Sequence, residues 1–194
     1  MILDRVWLHQ RLHRFPQRTI PQEALRPAAV LLPLLIREGE DWVLFTRRTE
    51  HLPHHAGEIS FPGGAHHAGD LDLAATALRE TEEEIGIPVG SIELHGRLDD
   101  FWSIHGYHVV PYVGTIPYPF AYQVADHEIA ELIEAPLDHF RAPGVHHVED
   151  WTHRGRSLPV DFYRFGGHVI WGLTAAILRQ FLEVTDPAAR EAAP

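Results

Sequence analysis

The chain has no cysteine among its 194 residues, which excludes disulfides, a thiol nucleophile, iron–sulfur clusters and a thiolate zinc site. It also has no lysine, since all sixteen basic residues are arginine. Schiff-base chemistry and a Walker A phosphate loop, which both need lysine, are therefore excluded as well. Long apolar runs are missing too. The run at residues 28–36 is far shorter than the about 20 residues that span a bilayer.

Positive charge is scarce as a whole, because 27 acidic residues outnumber the arginines and give a net charge of −11 with histidine neutral. A field of this sign repels a phosphate backbone, so we expect no nucleic-acid partner. A small anionic substrate would need local arginines or a divalent cation. The first residues carry charges where a signal peptide would be apolar, so we expect a cytoplasmic protein with no membrane attachment. The oligomeric state stays open, with a homodimer as one option.

The order of apolar segments predicts an α/β sandwich around a mixed sheet, in one domain over 1–194. We expect an N-terminal helix and linker (1–27), a catalytic core (28–185) and a tail (186–194). Residues 47–72 are rich in histidine, glycine and proline and are expected to form a long loop. The expected strands cover residues 29–36 and 42–46 as a hairpin, then 92–98, 108–116, 129–133, 160–165 and 169–171. A last helix is expected over 173–184.

The clearest predicted helix runs from Asp72 to Ile85. Asp72 can cap its first turn, and Gly86 suits the left-handed position after its last turn. At about 100° per residue, four side chains fall in one sector that is expected to face the core: Ala74, Leu78, Thr81 and Ile85. Glu80, Glu83 and Glu84 fall in a second sector and lie one above another.

Three carboxylates on one helix face repel one another, so a compensating charge is expected. Mg²⁺ or Mn²⁺ is the natural candidate, because hard cations prefer oxygen ligands. Arg79 lies four residues before Glu83 and can hold that carboxylate. The turn Phe61–Gly64 precedes the helix and lets backbone carbonyls approach a ligand closely. The alternative is an acidic helix face that is merely solvated.

These residues resemble the Nudix box, G-x5-E-x7-R-E-U-x-E-E-x-G-U. The matching positions are Gly64, Asp70 and the run Arg79–Ile87. Three details depart from the pattern. Asp70 replaces glutamate, one extra residue separates it from Arg79, and Thr81 stands where an aliphatic residue is usual.

The preceding segment is similar to the motif of the coenzyme A diphosphatase branch, L-L-T-x-R-[SA]-x3-R-x3-G-x3-F-P-G-G. The similarity is carried by Leu44–Thr49, Gly57 and Phe61–Gly64, and it continues downstream at residues 106–111, 128–129, 136–137 and 171–175. It therefore covers about residues 44–178. Pro53 is the main departure, because it stands where the branch has an arginine.

The resemblance implies a Nudix-type α/β/α sandwich that hydrolyses coenzyme A to 3′,5′-ADP and 4′-phosphopantetheine. A metal would be held by Glu80, Glu83, Glu84 and the Gly64 carbonyl. Catalytic roles are implied for Glu83 and Arg79, and Glu128 is a further candidate base or ligand. Arg47 and Arg48 are hypothesised to clamp phosphates. Tyr107 is a candidate contact to the substrate.

Two other interpretations remain open. The same box could act on NADH, ADP-ribose or dinucleoside polyphosphates, or the chain could bind a nucleotide without cleaving it. The histidine doublets at 54–55, 66–67 and 146–147 are not expected to form a zinc site, because no H-E-x-x-H helix is present.

Overall fold

The computed structural model describes residues 2–21, 25–51, 56–153, 155–186 and 188. Its helices are α1 (Arg5–Arg14), α2 (Leu73–Ile85) and α3 (Gly172–Val184), and short 3₁₀ turns cover Val89–Ser91 and Leu137–Arg141. The strands are β1 (Arg26–Arg37), β2 (Glu40–Arg48), β3 (Ile59–Ser60), β4 (Gly63–Ala65), β5 (Glu93–Arg97), β6 (Phe101–Trp102), β7 (Tyr107–Thr115), β8 (Ile129–Pro136), β9 (His146–His153), β10 (Arg156–Phe165) and β11 (His168–Trp171).

The main sheet has eight strands and is mixed, as predicted. Its path is β3-β2-β1-β7-β5, with β4 paired to β1, β6 to β7 and β8 to β2. β1 and β7 run parallel over 26–34 and 107–115, whereas the other pairs of this sheet are antiparallel. The hairpin of β1 and β2 thus lies at the centre, and a second antiparallel sheet is ordered β11-β10-β9.

Helices cover both faces of the main sheet, which confirms the predicted α/β sandwich. Alternate residues of β1 point to opposite faces. Leu31 and Leu35 join a buried cluster with Ala77 and Ile85 of α2. Leu32 and Leu34 join a larger cluster on the other face, which includes side chains of α1, α3 and the second sheet. Among the described residues, no helix is long and apolar enough to cross a membrane.

Four strands were missing from the prediction. The expected loop over 47–72 contains β3 and β4, and β6 and β9 were also not predicted. β3, β4 and β6 have only two or three residues each, too few to show a period. β9 is exposed over most of its length, so it carries no apolar alternation. The linker is likewise shorter than expected, since β1 begins at Arg26.

Helix α2 has both predicted ends. The Asp72 side chain accepts a hydrogen bond from the backbone N–H of Ala75, and Gly86 ends the helix at φ 75°. The buried face is rotated from the predicted one: Ala74 and Leu78 are only partly buried, whereas Thr76 and Glu84 are buried with Ala77, Thr81 and Ile85. The rotation moves one of the three glutamates of this face into the interior.

The described part of the expected linker, residues 17–21, is tied to the core. Backbone N–H groups of Arg18 and Ile20 donate to the carboxylates of Asp99 (2.8 Å) and Asp100 (3.1 Å). Residues 187 and 189–194 of the expected tail lie outside the described residues, and the assignment of the whole chain to one domain stays a prediction.

Candidate active site

The three glutamates of α2 have three different environments. Glu84 is only 5% exposed, the Glu80 side chain is 15% exposed, and that of Glu83 is 58% exposed. Periodicity places them on one helix face, but the sheet covers only part of that face. Glu80 and Glu84 therefore point toward the interior side, and Glu83 points toward solvent.

Strand β4 forms the wall opposite Glu80 and Glu84. It pairs with β1, which sets Gly63 and Gly64 beside Val30 and Ala29. A Cβ atom on Gly64 would lie 2.5 Å from the carboxyl carbon of Glu80 and 2.6 Å from both of its oxygens. Glycine leaves room for the carboxylate at this position, whereas a Cβ atom would force it to move. We call Gly63 and Gly64 the glycine wall.

Burial makes the Glu84 carboxyl a weak acid. Its pKa is raised to about 8, mainly by burial and then by the negative charge of Glu80. The positive charge of Arg48 and a hydrogen bond from the Gly63 backbone N–H act in the opposite direction, and Glu128 adds negative charge. Burial also raises the pKa of Glu80, while Arg79 opposes that effect. Three predicted site residues, Glu80, Arg48 and Glu128, thus act on the Glu84 carboxyl.

Two atoms at this location lack hydrogen-bond partners. Glu84 Oε2 and Arg48 Nε are both buried and unpaired within the described structure. A buried, unpaired atom of a charged group is costly, so such atoms usually mark a missing partner. The first atom belongs to a carboxyl group and would pair with a cation or a donor. The second belongs to a guanidinium and would pair with an anion or an acceptor.

The structure places the two predicted arginines, Arg47 and Arg48, against different partners. Arg47 and Arg48 are successive residues of β2, where side chains alternate between faces, and the register with β8 shifts between them. Arg47 Nε donates to Glu131 Oε2 at 2.8 Å, and Arg47 also lies 3.5 Å from Glu50. The structure thus brings Arg48, not Arg47, to Glu84. A phosphate contact by Arg47 stays a prediction.

Arg79 holds a network of carboxylates at the start of this face. Its predicted contact with Glu83 is present at 2.9 Å, and Arg79 Nη2 lies 2.9 Å from Glu80 Oε1. Its forked hydrogen bond goes instead to Asp70, with Nε–Oδ1 at 2.8 Å and Nη2–Oδ2 at 3.1 Å. The guanidinium holds the pKa of Asp70 far below the usual range. Asp70, which stands at the glutamate position of the box pattern, is thus held by Arg79.

Glu128 reaches the site through a segment that is bonded to the end of α2. The backbone N–H groups of Gln123 and Ala125 donate to the carbonyls of Ile85 (3.1 Å) and Glu84 (2.9 Å), and the N–H of Glu128 donates to Ala125 (2.8 Å). The Glu128 side chain is 42% exposed. Its negative charge acts on Glu84, and its role as a base or ligand stays a prediction.

Tyr107 is the other predicted residue that the described contacts do not bring to the glutamates. It begins β7 beside Arg26, and its carbonyl accepts from Ser103 at 2.8 Å. Pro53, His54 and His55 lie outside the described residues. Sequence reasoning gave no role to Asp70, Thr76 or His66, although the position of Asp70 in the box was a usable signal.

The site fits a hard divalent cation. Within the described ranges, no three histidine, aspartate or glutamate side chains are already gathered tightly enough to hold a metal. The fit depends instead on the unpaired Glu84 Oε2 and on the glycine wall that leaves the Glu80 carboxylate unobstructed. All of these donors are oxygen, as Mg²⁺ and Mn²⁺ prefer. Glu83 faces Arg79, so its role as a ligand stays a prediction.

The fold and the site together define an α/β protein with a carboxylate-rich helix packed over a glycine turn. The NUDIX domain profile matches residues 25–161, and the chain belongs to the Nudix family.

Two curated relatives and one solved structure illustrate this membership. An uncharacterized Nudix hydrolase NudL of Salmonella newport is 38% identical over 184 residues, which are 93% of this chain and 95% of that protein. A NudL of Yersinia pestis is 40% identical over 158 residues, 81% of this chain and 79% of its own. A MutT/nudix family protein from Enterococcus faecalis superposes with a TM-score of 0.53 at 16% identity, covering 96% and 76% of the two chains. This last likeness confirms the Nudix fold alone.

Proposed function

We propose that the protein is a divalent-metal-dependent hydrolase that cleaves the diphosphate of coenzyme A, giving 3′,5′-ADP and 4′-phosphopantetheine. The observation that carries the proposal is the pair of unpaired buried atoms, Glu84 Oε2 and Arg48 Nε, beside the Gly64 turn. A cation bound to phosphate oxygens would satisfy the first atom, and a phosphate oxygen would satisfy the second. The resemblance of residues 44–64 to the branch motif supports coenzyme A as the substrate.

Glu80 and Glu84 would hold the cation, with Glu83 and the Gly64 carbonyl as further candidate ligands. When bound, such a cation neutralises the diphosphate and lowers the pKa of a coordinated water. Arg48 would bind a phosphate oxygen on the same side of the sheet. Arg79 would orient Glu80 and Glu83 through its two ion pairs. Glu128 or Glu83 would accept the proton of the attacking water. The water oxygen bonds to one phosphorus as the bridging P–O bond breaks.

The names of the relatives support a hydrolase within this family. The cytoplasmic location, a single domain over the whole chain and the absence of a nucleic-acid partner are proposed with it. They follow from composition and charge rather than from the site.

The test is parallel incubation of the purified protein with coenzyme A, NADH, ADP-ribose and a dinucleoside polyphosphate. Each reaction contains Mg²⁺, Mn²⁺ or a chelator, and the products are separated by chromatography. We expect metal-dependent release of 3′,5′-ADP, fastest from coenzyme A. Faster cleavage of another substrate would keep the site and reject the branch. No cleavage of any substrate, with binding retained, would favour a nucleotide-binding module.

A further inference from the structure

Arg79 lies at the end of a chain of hydrogen bonds that begins outside the proposed catalytic residues. His66 Nδ1 lies 3.0 Å from Thr76 Oγ1, and Thr76 Oγ1 lies 2.8 Å from Asp70 Oδ2. Asp70 then accepts both forked hydrogen bonds of Arg79. We call His66, Thr76 and Asp70 the positioning chain. The chain connects the loop after β4 to the guanidinium that contacts Glu80 and Glu83.

The direction of each hydrogen bond follows from the chemistry of the groups. The Thr76 hydroxyl lies 3.3 Å from the Asp72 carbonyl and 2.8 Å from Asp70 Oδ2. Both of these oxygens can only accept, so the hydroxyl donates its one proton to them, and the nearer and charged Asp70 is the stronger acceptor. The same hydroxyl cannot also donate to His66, so the 3.0 Å contact requires a proton on His66 Nδ1. The Nδ1 atom is also 3.6 Å from Asp70 Oδ2, an arrangement that favours an N–H there. His66 therefore donates to Thr76, and Thr76 and Arg79 donate to Asp70.

Each member of the chain is held in place. Thr76 is fully buried, and the Asp70 side chain is only 6% exposed. The backbone N–H of His66 donates to the carbonyl of Pro27 at 2.9 Å, so the ring is attached to β1. Asp70 accepts a fourth hydrogen bond, from the backbone N–H of His67 at 3.0 Å. A carboxylate with four donors around it has one orientation.

The departures from the box pattern explain why extra anchors are needed here. Asp70 is one methylene shorter than the glutamate it replaces, and one additional residue separates it from Arg79. A shorter side chain on a longer loop would be less constrained by the arginine alone. Thr76 and His66 supply the missing constraint from the helix and from the sheet.

We infer that His66 and Thr76 are positioning residues: they fix Asp70, which keeps Arg79 where it orients Glu80 and Glu83 for a divalent cation. The inference rests on the proposed function, because it assigns cation binding to those carboxylates. Groups that orient metal ligands typically change metal affinity or activity by about 10–100-fold when they are removed.

Two readouts test the chain without substrate. The first is the imidazole ¹⁵N spectrum of the metal-free protein near pH 8, in which we expect His66 to carry its proton on Nδ1. The second is Mn²⁺ binding, measured by the electron paramagnetic resonance of the free ion. We expect Thr76→Val to weaken Mn²⁺ binding about 10-fold, and Thr76→Ser to restore it. His66→Phe is expected to give a smaller loss in the same direction.

Thr81→Val is the matched control. Thr81 is also fully buried on α2, but its hydroxyl donates only to the carbonyl of Ala77, at 2.7 Å. If Thr76→Val fails to fold, the Mn²⁺ affinity of His66→Phe tests the inference instead. Mn²⁺ affinities equal to that of Thr81→Val, or a His66 proton on Nε2, would overturn the inference. A wild-type protein that does not bind Mn²⁺ would contradict the proposed function. The tautomer of His66 would still test whether the hydrogen bonds of the positioning chain run as inferred.

Discussion

Helices α2 and α3 carry nearly the same arrangement of charges, yet only α2 forms the candidate site. On α2, Arg79 contacts Glu83 one turn further on at 2.9 Å, and on α3, Arg179 contacts Glu183 at 2.7 Å. Both contacts join residues four apart in sequence and follow from helix geometry alone. The arginine–glutamate pair therefore does not define a site.

The likeness extends to a buried aspartate and a histidine. Asp70 accepts Arg79 Nε at 2.8 Å, and Asp161 accepts Arg179 Nε at 3.2 Å. Asp161 also binds His146 directly at 2.7 Å, whereas on α2 a threonine hydroxyl stands between the aspartate and the histidine. In both places the aspartate accepts from an arginine and from at least one other side chain.

The two helices differ at the residue that follows each member of the arginine–glutamate pair. Where α2 has Glu80 and Glu84, α3 has Gln180 and Val184. Gln180 donates to Asp99 at 2.6 Å, and Val184 packs in the core. Only α2 combines a buried carboxylate with an unpaired oxygen. The comparison teaches that an arginine–carboxylate network occurs on both helices, and that an unpaired buried carboxyl oxygen distinguishes the helix of the candidate site.

The largest effect is expected from replacing the two carboxylates of α2 that point toward the interior side. Glu84→Gln, and separately Glu80→Gln, are expected to lower metal-dependent turnover about 10³-fold, because a bound cation is worth several kcal/mol of transition-state stabilisation. Steady-state hydrolysis, with folding checked by circular dichroism, measures it. A folded Glu84→Gln protein with more than a tenth of wild-type turnover would contradict the assignment.

The same substitution at equivalent positions of the two helices sharpens the comparison. We expect Glu83→Gln to lower turnover about 10²-fold, the contribution of an acid–base or charge-stabilising group. Glu183→Gln makes the same change on α3 and is expected to leave turnover unchanged. Equal turnover of the two variants would remove Glu83 from the catalytic residues.

The glycine wall has a control of its own. Gly64→Ala would place a methyl group 2.5 Å from the Glu80 carboxyl carbon, so the carboxylate must move. We expect a loss of turnover of about 10²-fold, since a displacement near 1 Å has an effect of this size. Gly69→Ala, with no atom within 4 Å of the new methyl group, is expected to keep wild-type turnover. Equal turnover of both variants would show that the position of Glu80 is not critical.

The smallest effect concerns stability and has the opposite sign. The pKa of Glu84 rises from 4.5 to about 8 in the folded chain, so ionising it destabilises the metal-free fold as pH increases through that window. In chelator above pH 8, Glu84→Gln is expected to melt at least about 3 °C higher than wild type. The difference is expected to vanish below pH 4.5. Thermal unfolding at several pH values checks this, and a variant that melts lower throughout would argue against an uncompensated charge.

Local features of the site could be predicted from sequence. The extent of α2, its caps at Asp72 and Gly86, and the contact of Arg79 with Glu83 all depend on neighbours within one or two helical turns. The mixed sheet followed from the order of apolar segments. Spacing within one helix was sufficient for the features of α2, and the order of segments along the chain was sufficient for the sheet.

Features that depend on packing could not be predicted. Glu84 is buried because β4 covers it, and β4 has no sequence period that predicts a strand. Arg47 and Arg48 separate because a strand alternates its faces, but which face meets α2 is decided by the sheet. The contact of His66 with Thr76 joins a loop to a helix across ten residues. No spacing in the sequence indicates that these two side chains meet.

The segment that bonds the last carbonyls of α2 also determines how Glu128 can move. The backbone N–H groups of Gln123 and Ala125 donate to the carbonyls of Ile85 and Glu84. The segment that leads to Glu128 is therefore attached to α2 and is not an independent lid. Amide hydrogens of Gln123 and Ala125 are therefore expected to exchange with solvent as slowly as those of the last turn of α2.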